Sequence, residues 1–532
     1  MSPAPRIAAM TLGELLGVEA GRFHALPIRD LVLDSRDASA GSAFVAIRGT
    51  RDHGLKYAAD ALARGAEVVL YDPAETTEAL HPVALGGAVE SRSVAVPRLA
   101  ARLGELARRL YGPAMAHVAL AGVTGTNGKT TVAYLAAQAM THLDRPCGYV
   151  GTIGHGVLPA IAPHALTTPD TFTLHRELAA IADADAEHAV LEVSSHALAQ
   201  DRIAGLSIGT AAFTNLTRDH LDAHGDLERY GDAKARLFEL DGLRHAVLNA
   251  NDAFAARLAN RLAPGVRPIR VAVTGTSRRR FGFPPSAAGD RSPRRAADGG
   301  DDTQDGAEIE VRARSLGLDG LELEIGGTFG RATLRSRLIG AFNAENLAVA
   351  LGILAAWNVP LAEACRALAE AVPPPGRLEV VRGRDTNAPV VVVDYAHTPD
   401  ALERVLDTLR EAATGELWCV FGCGGERDRG KRAPMGAAAA SRADHLVVTD
   451  DNPRGEDPEE IVRDILAGTG GHPSVVVEHD RGAAIAYAVR NARAGDVVLI
   501  AGKGHETTQR IGAVERPFSD RDAAFAALEG RA

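Results

Sequence analysis

The chain is poor in cysteine, poor in aromatics and without a long apolar run, and each shortage removes a class of protein. Four cysteines are scattered over 532 residues as Cys147, Cys365, Cys419 and Cys423. Only the last two are close, as C-x-x-x-C with no second ligand pair nearby, so buried free thiols are expected rather than a metal site. No apolar stretch approaches the roughly 20 residues of a membrane-spanning helix. The opening "MSPAPRIAAMTLGELLGVEA" lacks a basic segment followed by an apolar one. A cytoplasmic protein that binds no membrane is the expectation. Positive charge is also in deficit: the formal net charge of -10 argues against general nucleic-acid binding but leaves room for a local basic pocket. Aromatic residues are 4% against 46% hydrophobic, which fits an α/β protein rich in Ala, Val and Leu. At this length roughly two to four domains are the prior.

What the sequence does have is concentrated in short polar bursts after apolar runs. "AGVTGTNGKTTVAYLAAQAM", residues 121–140, reads as a strand, a glycine-rich turn and an alanine-rich helix. Such a turn lets backbone N–H groups approach a phosphate, and the helix N-terminus adds favourable partial charge. Lys129 supplies a mobile cation for the outer phosphates, and Thr130 or Thr131 a hydroxyl for Mg²⁺. The loop, Gly125, Thr126, Asn127, Gly128, Lys129, Thr130, departs from G-x-x-x-x-G-K-[ST] because Val123 stands where the first glycine belongs. ATP or GTP is the implied ligand.

Three α/β units follow from the same alternation. "RDLVLDSR", "SAFVAIRG" and "AEVVLYD", with a helical stretch over 55–65, form a small first unit. A second begins near Tyr111-Gly112-Pro113 and continues through "HAVLEVSSHAL", "GTAAFTNLTRDHLD" and "RHAVLNANDA". A third follows "AVPPPGRLEV" with "APVVVVDYAHTPDAL", "GELWCVFGCGGERDRGKR", "ADHLVVTDDNPRGEDPEE" and "GDVVLIAGKGHE". The expected boundaries are 1–110, 111–377 and 378–532. Residues 277–306, Pro-, Gly- and Ser-rich with little to bury, read as a disordered insertion in the second unit.

Glu192 ends an apolar strand, where a carboxylate could complete Mg²⁺ coordination. Asn215, Asp219, His220, Asp222 and His224 crowd the stretch after another strand, and Lys234 lies in the short amphipathic helix "YGDAKARLFEL". A turn with helix caps would also account for that crowding.

Taken with "GAFNAENLAVA", "PPPGRLE", "DYAHTPDAL" and "DNPRGEDP", these motifs make the chain resemble the Mur ligase family over nearly its whole length. The resemblance implies an α/β fold of three domains: a small UDP-substrate domain, a central ATPase domain with a mostly parallel sheet, and a C-terminal Rossmann-like domain. It implies ATP-dependent amide formation on a UDP-linked peptidoglycan precursor. By the same resemblance, Lys129, Lys234 and His220 are catalytic, with Lys234 carrying a CO₂-derived carbamate. Thr130, Glu192, His220 and carbamylated Lys234 hold two Mg²⁺ ions. Asn343 and Asn346 lie near the adenine, and Arg377, Asp394 and His397 reach the nucleotide. Leu33, Ser35, Thr50, Arg51, Asp52, Thr167, Thr168, Ser194, Gln200 and Arg202 bind UDP-MurNAc-L-Ala-D-Glu. Ser35 could equally be a turn residue.

The amine substrate is read from "DDNPRGEDP". Asp451, Asn452, Pro453 and Arg454 form a rigid turn that aims a guanidinium, and guanidinium pairs with carboxylate in a two-pronged geometry lysine does not reproduce. meso-Diaminopimelate offers a second carboxylate, whereas L-lysine would set an ammonium against Arg454. Arg427, Gly502 and Glu506 match the remaining amino acid contacts, with Glu506 suited to the distal ammonium. The rival substrates within this architecture are lysine and a folate polyglutamate. A phosphate-loop switch that consumes no amino acid is the rival from another class. A monomer is expected.

Overall fold

The computed structural model describes residues 7–49, 52–164, 166–217, 225–275, 307–385 and 387–531. Thr50, Arg51, His220 and the insertion 277–306 lie outside the described residues. The chain divides into two compact units, Met1–Arg270 with Val349–Val359, and Val271–Ala348 with Pro360–Ala532.

The first unit opens on a four-stranded parallel sheet, Asp30–Val32, Ser42–Ala46, Val68–Tyr71 and Ser93–Ala95 in that order. The first three are the short apolar runs read from sequence, and Ser93–Ala95 is a fourth strand not read there. The stretch expected as one helix over 55–65 is a 3₁₀ turn, Gly54–Tyr57, followed by the helix Ala58–Ala63. The helix Leu103–Met115 continues through Tyr111-Gly112-Pro113, and its Leu106, Ala107, Leu110 and Tyr111 are buried in the core of this small sheet.

The same unit holds a larger sheet in which Ala119–Thr124 lies between His188–Glu192 and Ile208–Phe213, parallel to both. Cys147–Gly151 and His245–Asn249 extend it in parallel, and Gly154–Val157 and Ala160–Ala162 add an antiparallel edge. Strands buried on both faces read as continuous apolar runs, which is why "HAVLE" and "AAF" were legible. Their carboxyl ends, where ligands gather in open α/β sheets, carry Glu192, Thr214 and the turn 125–128.

In the second unit, Ile309–Gly317, Gly320–Gly327 and Ala332–Ser336 form an antiparallel meander. A six-stranded sheet follows in the order Glu379–Val381, Val390–Asp394, Val497–Ala501, Leu417–Phe421, His445–Val448, Val475–Val477. All but the first strand run parallel. Val497–Ala501 inserts between two earlier strands, and that change of strand order marks a ligand-binding crevice at the carboxyl ends. All four cysteines are free and buried, as expected.

Candidate active site

The glycine-rich turn links Ala119–Thr124 to the helix Lys129–His142, so the strand, loop and helix fall in the required order. Gly125 has φ +149°, and a Cβ there would stand 1.9 Å from Thr214 Oγ1, so only glycine fits. Val123, the departure from the common pattern, is a buried strand residue. Residues 214–217 brace the loop. Thr126 N donates to Asn215 O (2.8 Å), Asn127 N to Asn215 Oδ1 (3.0 Å), and Thr217 N to Thr126 Oγ1 (2.9 Å).

Two ammonium groups meet on one carbonyl of this loop. Lys129 Nζ donates to Gly125 O (3.0 Å) and Thr126 O (2.9 Å), and Lys234 Nζ donates to Gly125 O (2.7 Å). Lys234 is 1% exposed, with Nζ 4.2 Å from the centre of the Tyr230 ring. Glu192 is fully buried and accepts from Thr130 Oγ1 (2.8 Å), Tyr149 OH (2.6 Å) and Thr152 N (2.8 Å). Gly151 makes room for this carboxylate, because a Cβ there would stand 2.2 Å from Glu192 Oε1. Hydroxyl and carboxylate oxygens at Thr130 and Glu192 are the donor chemistry Mg²⁺ takes. Thr131 is buried beside Thr130.

A second cluster lies along the same strand ends. Thr168 Oγ1 donates to Glu192 O (2.8 Å) and accepts from Ser194 N (3.1 Å). Arg202 Nη1 donates to Thr168 O (2.8 Å), and its Nη2 donates to Gln200 Oε1 (2.7 Å). Thr167 Oγ1 is 3.1 Å from Thr152 Oγ1. Four residues predicted to bind the UDP-linked peptide, Thr168, Ser194, Gln200 and Arg202, are therefore joined in one hydrogen-bonded chain, and Thr167 connects to it through Thr152 and Glu192. Leu33 and Ser35 flank Asp34 at the end of Asp30–Val32, and Ser35 begins a 3₁₀ turn and hydrogen-bonds Asp60. Asp52 pairs with Lys56.

In the second unit, Asn343 Nδ2 donates to Ile339 O (2.7 Å) and Asn346 Nδ2 to Asn343 Oδ1 (2.8 Å). Asp394 accepts from Leu378 N and Ala396 N, both at 2.8 Å, and burial pushes its carboxyl above the ordinary range. Arg377 lies over the Tyr395 ring (4.9 Å), and His397 Nδ1 donates to Tyr395 O (2.8 Å).

The turn 451–454 carries backbone strain at a non-glycine residue, since Arg454 adopts φ +53°. Arg454 N donates to Arg510 O (3.1 Å) and Gly512 N to Arg454 O (2.6 Å), which locks the turn to a β-hairpin, Thr508–Ile511 with Val514–Pro517. Its guanidinium donates to Gly425 O (2.8 Å) and forms no ion pair among the described residues. Arg427 is exposed and likewise forms none. Glu506 accepts from Lys503 Nζ (2.7 Å) and Asn452 Nδ2 (2.9 Å). Burial opposes its ionisation, but Lys503 and Asn452 outweigh that and hold its carboxyl below the usual range. Burial pushes Asp451 up, and Gly502 N donates to Asp394 O (3.1 Å).

Sequence reasoning missed Lys503, Tyr149 and Thr152. Lys503 was legible as the only cation in "AGKGHE", whereas Tyr149 and Thr152 reach Glu192 across 43 and 40 residues with no local signal. A cavity of about 770 Å³ lined by Arg108, His117 and Arg244 also includes Ala119 and Leu120, at the amino end of the phosphate-loop strand and away from these groups.

Comparison with known proteins identifies the family. Three family descriptions match in succession: "Mur ligase family, catalytic domain" over 27–111, "Mur ligase middle domain" over 123–354, and "Mur ligase, glutamate ligase domain" over 376–504. The chain belongs to the Mur ligase family. It is 44% identical over 520 residues, 98% of this chain and 97% of the relative, to a UDP-N-acetylmuramoyl-L-alanyl-D-glutamate--2,6-diaminopimelate ligase of Xylella fastidiosa (strain Temecula1). A protein of the same name from Alkalilimnicola ehrlichii is 44% identical over 94% of this chain and 95% of its own. A solved structure of that name superposes with a TM-score of 0.67 at 35% identity, covering 98% of this chain and 99% of the other. A MurF structure from Acinetobacter baumannii, at 16% identity and a TM-score of 0.61, shares the fold, covering 93% of this chain and 96% of its own. Among the described residues no helix is long and apolar enough to cross a membrane.

Proposed function

We propose that the chain is an ATP-dependent ligase that forms an amide between the D-Glu γ-carboxylate of UDP-MurNAc-L-Ala-D-Glu and meso-diaminopimelate, a step of peptidoglycan precursor synthesis. The observation that carries this reading is the 44% identity over 98% of the chain with a relative of that name. The guanidinium of Arg454, which has no ion pair among the described residues, supports the choice of amino acid.

Forming an amide from a carboxylate in water is uphill, so the carboxylate must first become an electrophile. Its oxygen attacks the γ-phosphorus of ATP, ADP leaves, and an acyl phosphate results. The amine then attacks the carbonyl carbon as its free base, the tetrahedral adduct expels phosphate, and a proton is lost. Lys129 is poised on its own loop carbonyls, from which a phosphate would draw it. Backbone N–H groups of residues 128–130, at the helix N-terminus, would bind the phosphates, while those of Thr126 and Asn127 brace the loop on Asn215.

Two Mg²⁺ ions, held by Thr130 and Glu192 and by His220 with carbamylated Lys234, would neutralise charge on the transferring group. Lys234 suits the modification. A buried ammonium is costly, and an amine that adds to CO₂ and loses a proton exchanges that cation for a carboxylate-like oxygen ligand. Asn343, Asn346, Arg377, Asp394 and His397 complete nucleotide binding. Leu33, Ser35, Thr50, Arg51 and Asp52, with the chain from Thr167 to Arg202, hold the UDP-linked dipeptide. Arg427, Arg454 and Glu506 take the distal carboxylate and ammonium of diaminopimelate, positioned by Asp451, Asn452, Pro453 and Gly502. The reading includes a cytoplasmic monomer of three domains, 1–110, 111–377 and 378–532.

Phosphate release from ATP tests the reaction. It is expected only when the UDP-linked dipeptide and diaminopimelate are both present. Release indifferent to the amino acid would reduce the chain to a nucleotide hydrolase.

A further inference from the structure

Outside the nucleotide, peptide and amino acid residues, one cluster of metal-binding side chains stands on three separate elements of the first unit. His155 lies in the strand Gly154–Val157, His164 follows the strand Ala160–Ala162, and Glu177 is on the helix Thr171–Asp183. His155 Nδ1 is 3.2 Å and His164 Nδ1 3.1 Å from the same oxygen, Glu177 Oε1. The three ligand atoms lie within 4.8 Å of one another. The Glu177 side chain is 7% exposed and that of His164 10%.

The hydrogen bonds fix what these atoms offer. His164 Nε2 is 2.6 Å from Gly151 O, and a carbonyl can only accept, so Nε2 carries a proton. Nδ1 then faces Glu177, where it either carries a second proton shared with the carboxylate or, with that proton displaced, offers its lone pair to a metal cation. A ring N–H held by a backbone carbonyl, with the other nitrogen aimed at a carboxylate oxygen, is the arrangement of a metal-ligating histidine. His155 Nδ1 and Glu177 Oε2 are buried without a hydrogen-bond partner. Two imidazole nitrogens sharing one carboxylate oxygen, with two buried polar atoms unsatisfied among these groups, make a donor set that a cation would complete. Arg176, the neighbouring cation, is turned away onto Asp30 (2.8 Å).

We propose that His155, His164 and Glu177 form a binding site for a first-row transition dication of the Zn²⁺ type. Two imidazole nitrogens and one carboxylate oxygen are a Zn²⁺ ligand set that leaves a fourth position for water, and imidazole disfavours Mg²⁺ and Ca²⁺. The ion would tie the 154–162 hairpin to the helix Thr171–Asp183. Through His164 it would also hold Gly151, next to the Thr152 N–H that orients Glu192. It is a positioning site, separate from the metal chemistry of phosphoryl transfer.

The test is binding to the chelator-treated full chain in millimolar Mg²⁺, with Zn²⁺ followed by calorimetry and Co²⁺ by visible absorption. One ion per chain is expected, with Co²⁺ ligand-field bands of low coordination number and no thiolate charge-transfer band. His155→Asn and Glu177→Gln should each weaken binding at least about tenfold, whereas Glu192→Gln leaves it unchanged. Zn²⁺ should raise the melting temperature of the wild type and not of those two variants, which checks that they fold. Absence of stoichiometric binding, thiolate ligation, or equal affinity in His155→Asn would overturn the site. None of these readouts depends on ligase activity.

Discussion

Around the glycine-rich loop the described charged side chains Lys129, Lys234 and Glu192 are each held by two or more groups of the protein or by a buried backbone carbonyl. Lys129 and Lys234 donate to the Gly125 carbonyl, and Glu192 is held by Thr130, Tyr149 and Thr152. Around the turn 451–454 the opposite holds. Arg454 is strained into a positive φ, and neither it nor Arg427 has a carboxylate among the described residues. Phosphoryl chemistry is common to many enzymes, and backbone groups with a few buried side chains suffice for it. Choosing one diamino acid needs charges left for the ligand to satisfy, and under the proposed function the exposed Arg427 and half-buried Arg454 would supply them.

The largest expected effect breaks the first region. Lys129→Ala should lower kcat by about 10³-fold in steady-state assays with unchanged folding by circular dichroism, the scale of removing a preorganised charge contact. Retained turnover would mean that the loop does not hold the transferring phosphate. Next, Arg454→Lys should cost about 10²-fold in kcat/KM for diaminopimelate while sparing KM for ATP. A rise in the ATP KM would erase the division of labour.

A pH titration sharpens the contrast, because His175 in the first unit and Asp394 and Asp451 in the second respond with opposite sign. His175, buried on the helix Thr171–Asp183, is held by burial down to about 4 from 6.5. The unfolded chain therefore binds a proton that the folded one refuses between those values, and the first unit loses stability as pH falls below 6.5. The loss is on the order of 2 kcal/mol by pH 5. Asp394 and Asp451 are pushed upward, so their contribution is full at low pH and declines as pH rises through the folded values. Hydrogen exchange corrected for intrinsic rate should show protection of Ala119–Thr124 falling from pH 7 to 5, with no matching fall in Val390–Asp394. The smallest effect is Gln200→Ala, which frees Arg202 and should raise KM for the UDP-linked dipeptide about fivefold, the scale of one hydrogen bond.

Apolar runs flanked by polar bursts made the strands legible, and the turn 125–128 was legible because glycine there answers a backbone requirement. Local pattern failed where the structure turns on distant partners. The helix Leu103–Met115 runs through Pro113, which sequence read as a break, because Tyr111 is anchored in the small domain's core. Glu506 reads as a partner for the distal ammonium of the substrate, yet Lys503 three residues earlier already donates to it. The pairing of His164 with Glu177 joins a hairpin to a helix and has no signature in either segment alone.

The most direct test of the account is a competition in which the enzyme receives ATP, UDP-MurNAc-L-Ala-D-Glu and equal meso-diaminopimelate and L-lysine, with product masses measured. The account predicts the diaminopimelate adduct almost exclusively. A lysine adduct at a comparable level would contradict the role assigned to Arg454 and with it the reading of the second region.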